Sequence, residues 1–568
     1  MRIALPKIQT FYLLLCLAFS GLFIHLATIC YFSDSEIWLL ALSKKALSVG
    51  AAQSVYYKWF FHMVVFITAF WSNNNLLIYE VSRIVFALIA LTSVVLVAAT
   101  FTKIYQKKNL FLPIILVCLT SSLFFNQGFR IRADILALLL HTCFLFLVFQ
   151  DFKPRRKYLL WFMLLNTALL LTTPKALIFI AMQFLIGCHF LSQQSSDKQS
   201  IGKTTLISLL IPLTFALFIL SYLGFTQPEH TLLSAIQSAG DFYLKSFDPD
   251  LGGALFFKSM DFMYVLRFLR LSMVHTLLLV GWLVLFFVHI FSKQKDPIHS
   301  FFHLYGACLL SLVLLYNQKL PFFLGPFLTP LIAIQFCSLD HFCSSRPLLK
   351  WLSPLLIAAA CWLCWKQFTV NQQFNGNILQ KEFISQLQTY EKENPAVSVY
   401  DIIGLLPQDN TYYLFIGPGE VTRSREILAA LQAKPPDIYL YTYKNILFTH
   451  DLQMFLKNNY LEYSPGVFLR AQHMRADEKT SHNTNIIQFK NKSYWLFPYN
   501  KPSFIFSQTT KKDILSECLL LDSELKPTQN ATQWLAIPLE HVHFSIVTVP
   551  PPKISQNPFM LFRFDTAF

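Results

Sequence analysis

The chain has 568 residues, of which 54% are hydrophobic and only 14% charged, far from the roughly one-quarter charged usage of soluble domains, so water is not the solvent for most of it. Its 46 Lys and Arg against 31 Asp and Glu punctuate apolar runs rather than stripe one face. They read as membrane topology signals and exclude a nucleic-acid partner.

The N-terminus carries Arg2 and Lys7 ahead of an apolar stretch from Phe11 to Phe32. That outline resembles a signal sequence, but the apolar core is too long and has no small-x-small cleavage site, so it reads as an uncleaved first span. Runs of about 17 to 25 apolar residues recur as far as Trp365, and at about 1.5 Å per residue each covers a hydrocarbon core of about 30 Å. They place spans at 9–31, 77–101, 110–126, 133–150, 158–173, 176–192, 204–224, 266–291, 299–316, 321–338 and 349–366. Basic residues at 2 and 7, 103–108, 153–157, 198 and 203, 293 and 295, and 346 and 350 then fall on one side of the membrane. The positive-inside rule makes that side cytoplasmic. Loops 32–76 and 225–265 face outward, as does everything after the last span, in a multi-pass membrane protein. The partly apolar stretch from Leu47 to Val64, with Lys58 and His62, suggests helices lying at the interface rather than another crossing.

From about residue 370 short apolar runs alternate with Pro, Asn and Asp. Strand patterns at Tyr412–Ile416, Ile438–Tyr443, Val467–Leu469 and Ile486–Phe489 interleave with helical patterns at Ile378–Glu393, Ser424–Ala433 and Leu452–Asn459. The expected fold is therefore an all-α polytopic membrane bundle of about 11 transmembrane helices followed by a small α/β extracytoplasmic domain. The expected divisions are 1–366 for the bundle, 367–475 for the α/β domain and 476–568 for an unassigned extension. Ten of the 11 cysteines lie in or beside the spans and read as small buried hydrophobes rather than a disulfide framework. His25, His141, His189 and His275 on apolar faces read as packed side chains. No Gly-rich phosphate loop, His-Glu-x-x-His or nucleophile elbow is present.

Chemistry is concentrated at the outward turns. Phe32-Ser33-Asp34-Ser35-Glu36-Ile37-Trp38 opens the first loop, and a partly desolvated carboxylate there can take the proton of an attacking hydroxyl. Equally, Ser33 or Asp34 can cap a helix running from Ser35 through Ser48 with Glu36 in its first turn. Both readings can hold, because a cap also fixes a side chain in space. Gly128-Phe129-Arg130-Ile131-Arg132-Ala133-Asp134 puts three charges into a minimal turn. Either Arg132 and Asp134 pair while Arg130 snorkels to head groups, or a guanidinium is held for a lipid phosphate. Lys175, Lys319, Arg267 and Arg270 are further cations at outward turns, interfacial anchors or ligands of an anion. Arg83 with Glu80 reads as a buried pair within reach of the same cavity.

Taken in order, these features resemble the glycosyltransferase C superfamily, in the branch of protein O-mannosyltransferases and the bacterial aminoarabinose transferase of lipid A. Asp34 and Glu36 match its acidic motif in the first outward loop, RIRAD at 130–134 its R-x-D-like element, TTPKA at 172–176 its Lys-bearing turn, and NQKLPFFLGPFLTP at 317–330 its Pro-rich turn. DIIGLLP at 401–407, YYLFIGPGE at 412–420 and ILAALQAKPPDIYLY at 427–441 resemble the outward domain of the bacterial members. The likeness covers most of residues 1–475. The acidic motif departs from the family's adjacent D-E, which leaves the choice of base open between Asp34 and Glu36.

The resemblance implies a polyprenyl-phosphate sugar donor and inverting attack by a hydroxyl of a lipid, glycan or protein. Asp34 would be the general base with Glu36 orienting its neighbours, and Arg130, Arg132, Lys175 and Lys319 would hold the leaving phosphate. Asp134 and Arg83 would lie beside them. No metal or other cofactor is required, because the cations supply the electrostatic part. Two other classes compete: a polymerase or ligase of lipid-linked glycans, which would carry paired arginines absent from loop 225–265, and a transporter, which would show an inverted repeat.

Overall fold

A computed structural model of the chain describes residues 4–33, 36–37, 39–40, 43, 59–69, 74–151, 156–173, 179–180, 182–183, 270, 272–291, 297–315, 321–344, 346, 349–374, 376–400, 411–412, 428–441, 450–473, 486–489, 492–498, 519–522, 533–538, 544–546, 554, 556–557 and 561. They belong to two compact units: Met1–Tyr31 with Leu39–Gly376, and Phe32–Trp38 with Asn377–Ala567.

The first unit is helical. Its described helices are α1 (Ala4–Ile29), α2 (Trp59–Ala69), α3 (Asn75–Ile104), α4 (Phe111–Leu119), α5 (Ser122–Gln127), α6 (Ala133–Asp151), α7 (Arg156–Leu170), α8 (Met273–Phe291), α9 (Pro297–Leu315), α10 (Pro321–Ser344) and α11 (Leu352–Phe374). Among the described residues, Ile8–Ile29, Leu76–Ile104 and Met273–Phe291 are long and apolar enough to cross a membrane. α8 shows why such a helix belongs in lipid. Met273, Leu277, Val280, Val284, Phe287 and Phe291 form an exposed stripe, while Val274, Leu278 and Trp282 are buried on the opposite side. Apolar side chains on both faces fit a helix with protein on one side and hydrocarbon on the other. α2 has 11 described residues, about 16 Å of helix. It buries Phe61, His62, Val65 and Thr68 on one face.

Side-chain contacts define two levels. Cys30 pairs with Gly376 in an isolated antiparallel bridge, Asn371 donates to Asn126 at 2.6 Å, and Arg83 and Arg130 both reach Tyr31. At the other level Gln9 donates to the Asn109 carbonyl, Lys107 pairs with Asp340 at 3.1 Å, and Tyr105 bonds Ser338. The helical rise from Arg83 to Tyr105 is about 33 Å, enough to cross the hydrocarbon. The C-terminal ends of α1 and α11 thus share a level.

One expected span is broken. Residues 110–126 form not one helix but α4 and α5, separated at Thr120 and Ser121, where Ser121 is extended (φ −61, ψ 126). The Ser121 amide bonds the Cys118 carbonyl rather than Val117, and His275 Nε2 takes the Val117 carbonyl at 2.9 Å. Ser122 and Ser272 bond each other across the same break. Inside a membrane a broken helix survives only where neighbours satisfy the freed groups, and α8 supplies them here. The spans expected at 176–192 and 204–224 lie largely or wholly outside the described residues. Cys361 and Cys364, a Cys-x-x-Cys spacing, sit one turn apart inside α11 as free, buried thiols.

Among its described residues the second unit shows α12 (Ile378–Glu393), α13 (His450–Asn459) and ten strands. β1 (Val399–Tyr400) pairs in parallel with both β2 (Thr411–Tyr412) and β3 (Ile438–Leu440). β3 pairs antiparallel with β5 (Val467–His473), which also pairs with β4 (Tyr460–Ser464) and β10 (Phe544–Ile546). β6 (Ile486–Phe489), β7 (Lys492–Pro498), β9 (Gln533–Pro538) and β8 (Leu519–Asp522) form a separate antiparallel sheet in that spatial order. β10, from the stretch left unassigned by sequence, therefore joins the sheet of the strands before residue 475. Asp437 accepts from the Ser398 amide and hydroxyl, which pins the β1/β3 register. Beside it Tyr400 and Tyr439 stack at 4.4 Å, both fully buried.

Candidate functional site

α1 ends at Ile29 with no basic residue in its last turn, so the carbonyls at its negative pole must find donors elsewhere. They find Arg83. Its two terminal nitrogens donate to the carbonyls of Cys30 and Tyr31, each at 2.7 Å. Arg130 Nη1 donates to the same Tyr31 carbonyl at 2.9 Å, and its guanidinium lies 4.6 Å from the centre of the Tyr31 ring. Phe129 faces both guanidinium groups at 5.5 Å. Arg83 is 0% exposed and Arg130 3%. A buried cation is tolerated when its hydrogen-bond donors are used, and here one peptide carbonyl gathers two of them.

Two glycine and aromatic details hold the second arginine. At Gly128 a Cβ would lie 2.7 Å from the Phe124 carbonyl and 3.0 Å from the Phe23 ring. The ring of Phe23 in turn stacks on Phe124 and meets Phe129 edge-on. The close approach of this turn to α1 requires the missing side chain. Arg132 is half-buried and lies directly before α6. Asp134 is buried in the first turn of α6, where a carboxylate complements the positive pole of the helix.

In the second unit, the opening of the acidic motif is built as a capping box. The Glu36 carboxylate accepts from the Ser33 amide at 3.0 Å and the Ser33 hydroxyl at 3.1 Å. The Ser33 hydroxyl oxygen accepts from the Glu36 amide at 3.3 Å. Glu36 is 1% exposed. This is the reciprocal Ser-x-x-Glu pattern that starts a helix. Asp34, Lys175, Lys319 and Arg267 lie outside the described residues, and Arg270 is exposed.

Sequence reading singled out neither Tyr31 in the first unit nor Gln380 in the second. Gln380, in the first turn of α12, accepts from the Phe32 amide at 2.6 Å and donates to the Phe32 and Leu561 carbonyls at 2.9 and 2.7 Å. Contacts 348 residues apart leave no local signal.

Comparison with solved structures finds ArnT from Cupriavidus metallidurans, crystallised in the apo state, at 10% identity and a TM-score of 0.50. The match covers 81% of this chain and 98% of that one. No family model matches the sequence, and no curated protein does. At that identity the likeness is one of fold, and it accompanies three described helices that are long and apolar enough to cross a membrane.

Proposed function

We propose that the chain is a membrane glycosyltransferase that moves a sugar from a polyprenyl-phosphate-linked donor to a lipid, glycan or protein hydroxyl at the outer face of a bacterial plasma membrane. The observation that carries the reading is the fold shared with ArnT, a lipid A aminoarabinose transferase, along nearly that enzyme's whole length. Support also comes from the concentration of positive charge at the Tyr31 carbonyl, where Arg83 and Arg130 meet.

The acceptor oxygen attacks the anomeric carbon opposite the phosphate, with inversion. The bond from that carbon to the phosphate oxygen breaks, and its electron pair leaves with the lipid phosphate. The hydroxyl proton passes to Asp34. Fixed cations stabilise the charge developing on the leaving phosphate more than the charge of the bound donor, which is what lowers the barrier. Arg83 and Arg130 are assigned that task, joined by Arg132, Lys175 and Lys319. Glu36 serves as the cap that orients the turn, and Asp134 fixes the start of α6.

The test incubates purified protein in detergent with polyprenyl-phosphate sugars and candidate acceptor lipids or peptides, comparing wild type with Asp34→Asn. Transfer by wild type and its loss of at least about a hundredfold in the variant are expected for removal of a general base. Undiminished transfer by Asp34→Asn would remove Asp34 from the mechanism.

A further inference from the structure

We propose that Gln380 is the positioning residue of the acid-bearing turn, so that the helix opening the second unit, and not the turn's own sequence, sets where the acid motif begins. The proposal rests on the glycosyltransferase reading for its catalytic consequence and on geometry alone for the clamp.

The Gln380 amide is used completely and in one orientation. Its oxygen accepts from the Phe32 N–H at 2.6 Å, and its nitrogen spends one hydrogen on the Phe32 carbonyl at 2.9 Å and the other on the Leu561 carbonyl at 2.7 Å. Turning the amide over would set its NH2 against an N–H and its oxygen against two carbonyls. The side chain therefore reads the Phe32 peptide groups as a neighbouring strand would, donor to acceptor and acceptor to donor. Phe32 is 1% exposed, Ser33 0% and Gln380 2%.

The next peptide is held as well, because the Ser33 amide donates to Glu36. Each polar backbone group from the Phe32 amide to the Ser33 amide thus has a partner, one residue ahead of Asp34. The next buried positions along this helix are apolar: Phe383, Ile384 and Leu387 are all 0% exposed. A buried amide among them costs desolvation that a Leu or Met would not. What the amide gives in return is specific placement of one peptide. Leu561 ties the far end of the chain to the same point.

The test uses full-length protein in detergent, with Gln380→Met as an isosteric variant, Gln380→Glu as a second that sets a carboxylate against two carbonyls, and Gln386→Met as a control on the same helix. Hydrogen exchange of a peptide covering residues 30–40 should rise at least tenfold at its protected amides in both Gln380 variants and not in the control. The exchange of 383–393 should stay unchanged. In the transfer assay kcat should fall about tenfold or more with the donor KM within about twofold, because misplacing a catalytic group acts on the chemical step. Unchanged exchange at 30–40 would overturn the clamp. Faster exchange with kcat intact would overturn the positioning role. Absence of transfer by wild type with every donor would sink the glycosyltransferase reading instead, while exchange would still decide the clamp.

Discussion

The capping box and the general base are separable by one pair of substitutions. Glu36→Gln keeps an oxygen that can accept from the Ser33 amide but removes the charge. Hydrogen bonds to a charged acceptor are worth about 1.5–3 kcal/mol and neutral ones about 0.5–1.5, so the Ser33 contacts at 3.0 and 3.1 Å weaken by about 1 kcal/mol each. That loss falls on the turn, and only the part that disturbs the reacting geometry reaches the barrier. Loss of a general base costs about 10² to 10⁴ in rate, or about 3 to 5 kcal/mol.

If Glu36 is a cap, Glu36→Gln retains transfer within about fivefold. Glu36→Ala and Ser33→Ala lose about tenfold each through a weakened helix start. Their double variant is little worse than either, because both remove the same bonds. Initial rates of sugar transfer at saturating donor read all four. A loss beyond a hundredfold in Glu36→Gln, with Ser33→Ala at wild-type rate, would show that the carboxylate does chemistry and refute the assignment of that role to Asp34 alone.

Arg83→Met removes the Arg83 donors to the Cys30 and Tyr31 carbonyls, at about 1–3 kcal/mol for the Cys30 contact and less at Tyr31, whose carbonyl keeps Arg130. It should hasten thermal inactivation in detergent more than Arg83→Lys does, and equal half-lives would contradict the cap on α1. Gly128→Ala presses a Cβ against the Phe124 carbonyl; weaker donor binding, read as a raised KM, is expected, and an unchanged KM would mean the turn yields without moving Arg130. In the second unit, burial and then the neighbouring Asp437 push the Tyr390 hydroxyl up to about 12 from its usual 10. Because the folded state holds this proton more tightly, the stabilisation is complete below pH 10 and is lost as pH rises toward 12. Tyrosinate absorbance in wild type minus Tyr390→Phe should show a step near pH 12, and a step near 10 would contradict the burial. A reporter enzyme active only outside the cytoplasm, fused after residue 380, should be active; silence with good expression would reverse the proposed orientation.

Helix ends were legible where hydropathy and capping agree. The second span was expected at 77–101, and Asn74 caps α3 at Asn75; α12 begins at Ile378 and ends at Glu393 as its periodicity suggests. The break at Thr120 and Ser121 was not legible, because no Gly or Pro marks it. Hydroxyl side chains do the marking instead, competing with the backbone for its carbonyls, as Thr120 does at Leu116. α11 outruns its expected end at 366 because Gln367, Asn371 and Gln372 form helix well enough but register as polar. In the candidate site, Ser33 and Glu36 carried their capping signal in sequence. The partners of Tyr31 and Phe32 did not, since no local pattern reports a side chain that bonds a peptide hundreds of residues away.

The two carbonyl clusters explain why the acid motif can afford so little sequence of its own. In the first unit the Tyr31 carbonyl is held by two arginines, and in the second both backbone groups of Phe32 are held by Gln380. The hydrogen bonds of both tethers go only to peptide atoms, and at Phe32 no ring contact is added to them by Gln380, whereas Arg130 also faces the Tyr31 ring. Substitutions at position 32 that preserve its burial should therefore leave the turn in place, whereas Phe32→Pro, which deletes the N–H that Gln380 accepts from, should free it. Phe32→Leu keeps an apolar side chain and the N–H, whereas Phe32→Pro loses the N–H and fixes φ, so transfer retained in the first and lost in the second would locate the support in the backbone. Equal loss in both would return it to the packing of the ring.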